Sequence, residues 1–260
     1  MSTTPHPAEP GQAGPDRGED RPHQLRLPGQ VAAPDGPADL SMMYLMHHAF
    51  RRDLAAFAAA VPHTPVEDVP AWRALARRWE VFAELLHHHH RAEDTWIWPA
   101  LLERADAAEQ ETLHAMEAEH EQIDPLLAAC ATGLQRLADG RASRDDRAAL
   151  AVRVCAAREC LGRHLGHEER EAIGILQRHL SAPEWEEIAA RINGGRPELR
   201  LVVTAVPWLL HQLPPSVRRE VVARAEPAQR LVWRLTRRRF ERLERRALRH
   251  VPAGSQKPYC

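Results

Sequence analysis

Leu85-Leu86-His87-His88-His89-His90-Arg91-Ala92-Glu93-Asp94 sets four consecutive histidines one helical turn ahead of a pair of carboxylates. On a helix turning about 100° per residue, His89 shares its face with Leu75, Trp79, Phe82, Leu85, Leu86, Glu93 and Trp96. His87, His88 and His90 point elsewhere. One histidine of the four therefore sits in the middle of an apolar stripe, with Glu93 one turn beyond it. A lone histidine in such a place is most often a hydrogen-bonded core residue. A carboxylate beside it shifts the balance, because burying that charge costs free energy unless something positive pairs with it.

The other long helical segments give the same pattern. The first centres His47 on Leu40, Met43, Phe50, Leu54 and Ala58, with His48 off to the side. The third centres His120 among Leu113, Met116, Ile123, Leu127 and Leu134, with His114 off the stripe. In the fourth, Leu150, Ala157, Cys160, Leu161 and Ile175 flank His164, and Glu168 again follows one turn on. Four amphipathic helices that each turn one histidine inward, two of them adding a Glu at i+4, specify a metal site in a bundle core.

His47, His89, Glu93, His120, His164 and Glu168 are too many ligands for a closed tetrahedral zinc site. They suit two metal ions bridged by Glu93 and Glu168 with imidazoles at the ends, iron or manganese by ligand type, which together want roughly ten to twelve coordination positions. Solvent or a small diatomic molecule fills what the protein leaves open. A mononuclear iron or zinc, with the remaining groups hydrogen-bonding around it, is the other reading of the same residues. Ferritin-like carboxylate proteins carry Glu-x-x-His; here the histidine comes first and the Glu four residues later.

Taken together, the lone His47, His89-x-x-x-Glu93 followed by Asp94 and Pro99, Glu119-His120, and His164-x-x-x-Glu168-Glu169 resemble the hemerythrin-like (HHE cation-binding) family over about residues 39–180. The resemblance implies a four-helix bundle holding a non-haem di-iron centre, that is, two Fe ions. Oxygen-carrying members have a second histidine one turn after that of the third helix, where this chain has Asp124. Their fourth helix carries an Asp five residues after its histidine, where this chain has Glu168 at four. Both departures make the chain more similar to the bacterial and regulatory branch with four histidines and two glutamates, and point away from reversible oxygen carriage. Around the six ligands, Tyr44, His90, Asp124 and His167 are candidates for outer contacts. Each also has a plain reading as a packing, kink-capping or surface residue.

Length and composition frame the rest. The chain has 260 residues, 44% of them apolar and 5% aromatic, which is enough for one good core plus an appendage, and the wealth of Ala, Leu, Arg and Glu favours an all-α fold. A formal net charge of -1 confines any basic partner-binding surface to a local patch. Cys130, Cys155, Cys160 and Cys260 form no C-x-x-C pair and no disulfide spacing, so they read as reduced residues of a cytoplasmic chain. No signal sequence, lipidation motif or transmembrane segment is evident.

Residues 1–38, crowded with Pro, Gly, Asp and Glu, read as a disordered arm. The bundle follows: a helix from Asp39 or Ser41, either of which can cap it, to about Ala60, and a second from Ala71 to Trp96. The third runs from Asp106 to Asp139-Gly140 with a kink expected at Pro125, and the fourth from the Ser143 capping-box signal to about Leu180. Residues 181–260 read as a helical extension: Glu184 to Ile192, closed by Asn193-Gly194-Gly195, an apolar stretch over 199–210, and a last helix from Ala228 to about His250. The apolar stretch is too short and too interrupted to span a bilayer. The last helix interleaves nine arginines with Leu231, Trp233, Leu235, Phe240 and Leu243. That pattern reads as a solvated basic face over a docked stripe, or as a contact for a protein, an anionic membrane or nucleic acid.

Three functions fit these residues. One is a metal-binding protein that binds or senses O2, NO or iron itself. Another is a di-iron enzyme consuming peroxide or nitric oxide at the same centre. The third is an interaction module that the metal holds together.

Overall fold

The computed structural model describes residues 21–192, 194 and 199–252, with side chains from 202 onward in the last segment. Its helices are α1 (Ser41–His63), α2 (Val69–Ala92), α3 (Trp98–Leu102), α4 (Ala107–Ala138), α5 (Arg144–His167), α6 (Ile173–His179), α7 (Ala182–Ile192), α8 (Leu199–Leu210), α9 (Pro215–Arg224) and α10 (Pro227–Ala247). No strand occurs among the described residues, and the fold is all-α. Two π-helical turns, Glu93–Ile97 and Glu168–Ala172, join α2 to α3 and α5 to α6. The second and fourth helices read from sequence are thus continuous rods, each with one widened turn.

Local chemistry sets where these rods begin. Asp68 accepts the Ala71 amide at the head of α2, while Asp106 with Glu109, and Ser143 with Asp146, form capping boxes on α4 and α5. Each such cap contributes about 0.5–2 kcal/mol. At α1 the N-cap position falls to Leu40, whose apolar side chain cannot cap, and the Asp39 side chain accepts the Ser41 amide instead. α4 runs on through Pro125. Short connections make consecutive bundle helices antiparallel.

The bundle is uneven around its circumference. α2 packs on α4, α4 on α5 and α5 on α1, but the backbones of α1 and α2 stand further apart and meet through long side chains such as Phe57 on Trp79; α10 lies along α2, α8 touches α1, and α8 and α10 pack on each other, closing that seam. The extension is therefore part of the core: Trp208 and Phe240 belong to the same apolar cluster as Phe50, Phe57, Trp79 and Phe82. Beneath them lies a buried ionic network. Arg78 bonds both Asp53 and Glu244, Trp208 Nε1 donates to Asp53, and Arg52 donates to Asp53 and to the carbonyls of Trp208 and His211. Such pairing is what allows these charges to be buried at all.

Residues 24–38 are not disordered, contrary to the expectation from their Pro- and Gly-rich composition. Leu25, Leu27, Ala33 and Ala38 are buried, and the Gln24 side chain bridges the Ala38 carbonyl and the Leu40 amide. The segment has no helical or strand period of its own, and it is ordered by apolar anchors and by side-chain partners on the bundle. Residues 1–20, the Asn193 and Gly195 of the helix stop, and Cys260 lie outside the described residues.

Two apolar clusters fill the bundle, one around Phe50, Trp79 and Phe82, the other around Leu40, Tyr44, Trp98, Met116 and Leu176. The polar belt that separates them is the candidate site.

Candidate metal centre

α1 and α4 each contribute one inward histidine, His47 and His120. α2 and α5 each contribute a histidine, a glutamate one turn later and a further carboxylate: His89, Glu93 and Asp94 from one, His164, Glu168 and Glu169 from the other. The halves mirror each other. His47 Nδ1 donates to Glu169 (3.0 Å) and His120 Nδ1 to Asp94 (2.9 Å), each reaching the carboxylate five residues after the histidine of a different rod. His164 Nδ1 donates to Glu119 (2.8 Å).

The π-turns make room for this. Each starts at the inward glutamate, Glu93 or Glu168, and its extra residue shifts the phase of everything beyond. Trp96, placed on the buried stripe by a uniform helix, is 39% exposed, and Ile97 and Trp98 take the inward positions instead.

On the inner side the Nε2 atoms converge. His47 Nε2 lies 3.2 Å from His89 Nε2 and 3.1 Å from Glu168, and His89 Nε2 is 3.1 Å from Glu93. Opposite, His120 Nε2 lies 3.2 Å from His164 Nε2 and 3.5 Å from Glu93, while His164 Nε2 is 4.0 Å from Glu168. His47, His89, Glu93 and Glu168 form one group able to hold an ion, and His90, His120 and His164 a second. Glu93 and Glu168 reach into both.

The donor set fits cations on a specific physical ground. Because carboxylates fix the Nδ1 protons of His47, His120 and His164, the neutral rings must present Nε2 lone pairs inward. These lone pairs face other imidazoles and two glutamates that are fully buried, all four of whose oxygens lack a hydrogen-bond partner. Lone pairs facing lone pairs and carboxylates away from water repel, and either bound cations or extra protons must relieve them.

Without a cation the charges rearrange accordingly. Burial lowers His47, but Glu168 and Glu169 outweigh it and push the ring up to about 9. Burial and the neighbouring imidazoles hold His89 and His90 far below the ordinary histidine value. Burial together with Glu168 and Asp94 drives Glu93 well up, whereas Glu168 is held down against its burial by His47.

The structure brings together all six residues singled out as inward-facing and rearranges the four around them. His90 is 4% exposed, not on the surface: it stacks on His120, and its Nε2 is buried without a hydrogen-bond partner. A position 100° from His89 points outward on an isolated helix, but α2 is packed against α4 on that side. Asp124 is exposed and takes no part, because Ile123 and Leu127 hold the inward positions of α4 there. Tyr44 is buried one turn before His47 with an unpartnered hydroxyl, its ionisation pushed up by burial, Glu169 and Glu168. His167 is half-buried and shares Glu119 with His164. The orienting roles of Asp94, Glu119 and Glu169 emerge only from the packed helices, although Glu119 precedes His120 and Asp94 and Glu169 follow His89 and His164 by five residues. His87 and His88 are exposed as expected. His48 is buried, its Nδ1 donating to the Pro28 carbonyl of the packed segment.

A helical bundle with histidines and carboxylates in two facing half-sites defines a metal-binding domain. The family model described as the Hemerythrin HHE cation binding domain matches residues 38–176, more than half of the chain, including every residue of this centre. The chain belongs to that family. Searches of curated proteins and of solved structures returned no match.

Proposed function

We propose that the centre holds two iron ions and that the protein binds or senses a small molecule there, O2 or NO being the natural candidates, or iron itself. The observation that carries this reading is the pair of facing groups with Glu93 and Glu168 between them. In it, His47 and His89 would hold one ion and His120 and His164, with His90 as a seventh donor, the other, Glu93 and Glu168 serving both. Two ions so held would supply redox chemistry to a small ligand.

The chain's own groups define what can enter. The donor residues are all at most 7% exposed and lie between two apolar clusters, which shield the site from bulk water and leave no room for a large ligand. Glu169, which also accepts Arg51 and the Val31 amide, keeps the His47 proton on Nδ1 and so leaves Nε2 free for metal. The buried Tyr44 hydroxyl supplies a hydrogen-bond donor beside Glu168 and Glu169.

A second reading, an enzyme consuming peroxide or nitric oxide, rests on a hydrogen-bonded line from the centre towards solvent. His164, Glu119 and His167 form it, with Glu119 and His167 29% and 25% exposed. Such a line can carry protons to a reacting ligand.

The test is the metal content of untagged protein purified without air, then its visible spectrum on separate addition of O2, NO and peroxide. The expected result is about two irons per chain and new charge-transfer bands with O2 or NO. Sustained peroxide or NO turnover would favour the enzyme, and a single zinc would overturn the di-iron reading.

A further inference from the structure

α10 turns two different faces to its surroundings. Phe240, Glu244 and Ala247 are buried against the bundle, and Glu244 is tied to Arg78, so this part of the helix is fixed in place. On the opposite side, at about 100° per residue, Arg234, Leu235, Arg238, Arg242 and Arg245 all fall within about 60° of Leu231. All six are exposed. None of the four arginines has an acidic partner among the described residues; Arg242 makes one hydrogen bond through Nε to the Arg238 carbonyl. The one exposed acid within the helix, Glu241, lies at the margin of this face, about 80° from Leu231, and lines a cleft with His211, Arg218 and Trp233.

Leu231 and Leu235 are 55% and 72% exposed, and Leu235 is the most exposed large apolar residue described in the chain. They lie on the end of α10 that precedes its first buried residue, next to α9, which has no buried residue at all. The apolar pair and the arginines thus share one outward face on the least embedded part of the fold.

We propose that this face docks on an anionic phospholipid surface, the arginines pairing with lipid phosphates and the two leucines entering the interfacial layer. Guanidinium forks match phosphate oxygens two at a time, and a leucine pair gains by leaving water for the acyl boundary. A second copy of the chain is disfavoured, since two such faces would bring arginines against arginines. A nucleic-acid backbone would satisfy the arginines but leave both leucines wet, and the face offers no aromatic ring for bases to stack on; Trp233 lies under Arg237. Among the described residues no helix is long and apolar enough to cross a membrane, so the contact is peripheral.

The test is flotation of the full chain with vesicles of phosphatidylcholine alone and of phosphatidylcholine with phosphatidylglycerol, alongside duplex DNA and single-stranded RNA at the same salt. The expected result is flotation only with phosphatidylglycerol vesicles, weakened by salt. Triple reversal R234E/R238E/R242E should cut the affinity by about tenfold or more. L231S/L235S should weaken vesicle binding severalfold while metal content and helicity stay unchanged. Absence of flotation, unimpaired flotation of L231S/L235S, or tighter binding to DNA or RNA than to vesicles would overturn the proposal.

Discussion

His90 lies flat against His120, with ring centroids 3.9 Å apart and planes within 10° of parallel. The two rings stack in a dry core, one with an unpartnered Nε2, and with His164 they form a group able to hold an ion. His90→Ala should therefore weaken metal binding at the His120–His164 position by at least the roughly 10–100-fold typical of an outer hydrogen-bond partner. Binding at the His47–His89 position should persist. Competitive metal titration measures this, with His87→Ala and His88→Ala as exposed neighbours expected to change nothing.

Glu169 holds His47, Arg51 and the Val31 amide at once, so it links a metal-facing ring to the packed segment before α1. Glu169→Gln keeps the shape but loses the charge that keeps the His47 proton on Nδ1. Metal affinity should fall about 10–100-fold, and amide exchange over residues 24–38 should quicken. Asp94→Asn, at a carboxylate 38% exposed, should give the smaller loss of affinity.

Metal removal should change how stability depends on pH. In the chelated protein His47 is raised from 6.5 to about 9. A raised histidine contributes stability that is fully present below its unfolded value and is lost as pH rises through the folded one. The chelated protein should thus lose melting temperature between pH 6.5 and about 9, and the metal-loaded protein should not, because the ions replace that proton. Thermal melts of both forms across this range are the measurement. Parallel curves would mean that no cation competes with the proton at His47.

The Arg78–Glu244 pair and Trp208 fasten the extension to the bundle. Removing one member of a buried pair leaves the other uncompensated, so Glu244→Ala should cost about 3–5 kcal/mol, and Trp208→Ala about the same through the cavity it leaves. Burial works to raise Glu244, but Arg78 holds it below the usual carboxylate range. That stabilisation is complete above the unfolded carboxylate value of 4.5 and is lost progressively as pH falls from there towards the much lower folded value. Limited proteolysis after α7 should accordingly speed up in acid, and in Glu244→Ala already at neutral pH.

Phe50 stands between the two systems, packed against His89 on one side and Trp208 on the other at 5.3 Å between ring centroids in both cases. Phe50→Leu removes the bridge while keeping an apolar side chain. It should loosen α8 and shift the optical bands of the metal-loaded centre together; a change in only one of them would show the two to be independent.

Much of the centre was legible because it is local. Four histidines at the middle of four 3.6-period stripes, and glutamates at i+4, follow from helix geometry within single segments. The rest depended on neighbours. Trp96 turned outward because a π-turn changed the helix phase where the inward carboxylates need space. His90 turned inward because α4 lies on that flank of α2. Asp124 stayed in water because α4 already buried Ile123 and Leu127 at that level.

By itself the sequence determined an all-α chain, the bundle helices and the inward ring of His47, His89, Glu93, His120, His164 and Glu168, since periodic burial is written along each helix. Only the tertiary structure decided that residues 24–38 pack, that α8 and α10 close the seam between α1 and α2, and that Arg52, Asp53, Arg78 and Glu244 are buried. On separate helices those four charges read as solvated faces. Arg52 and Asp53 pair within α1, but Arg78 and Glu244 find their counter-charges only when the helices meet, and a buried charge is tolerated only where such a partner exists.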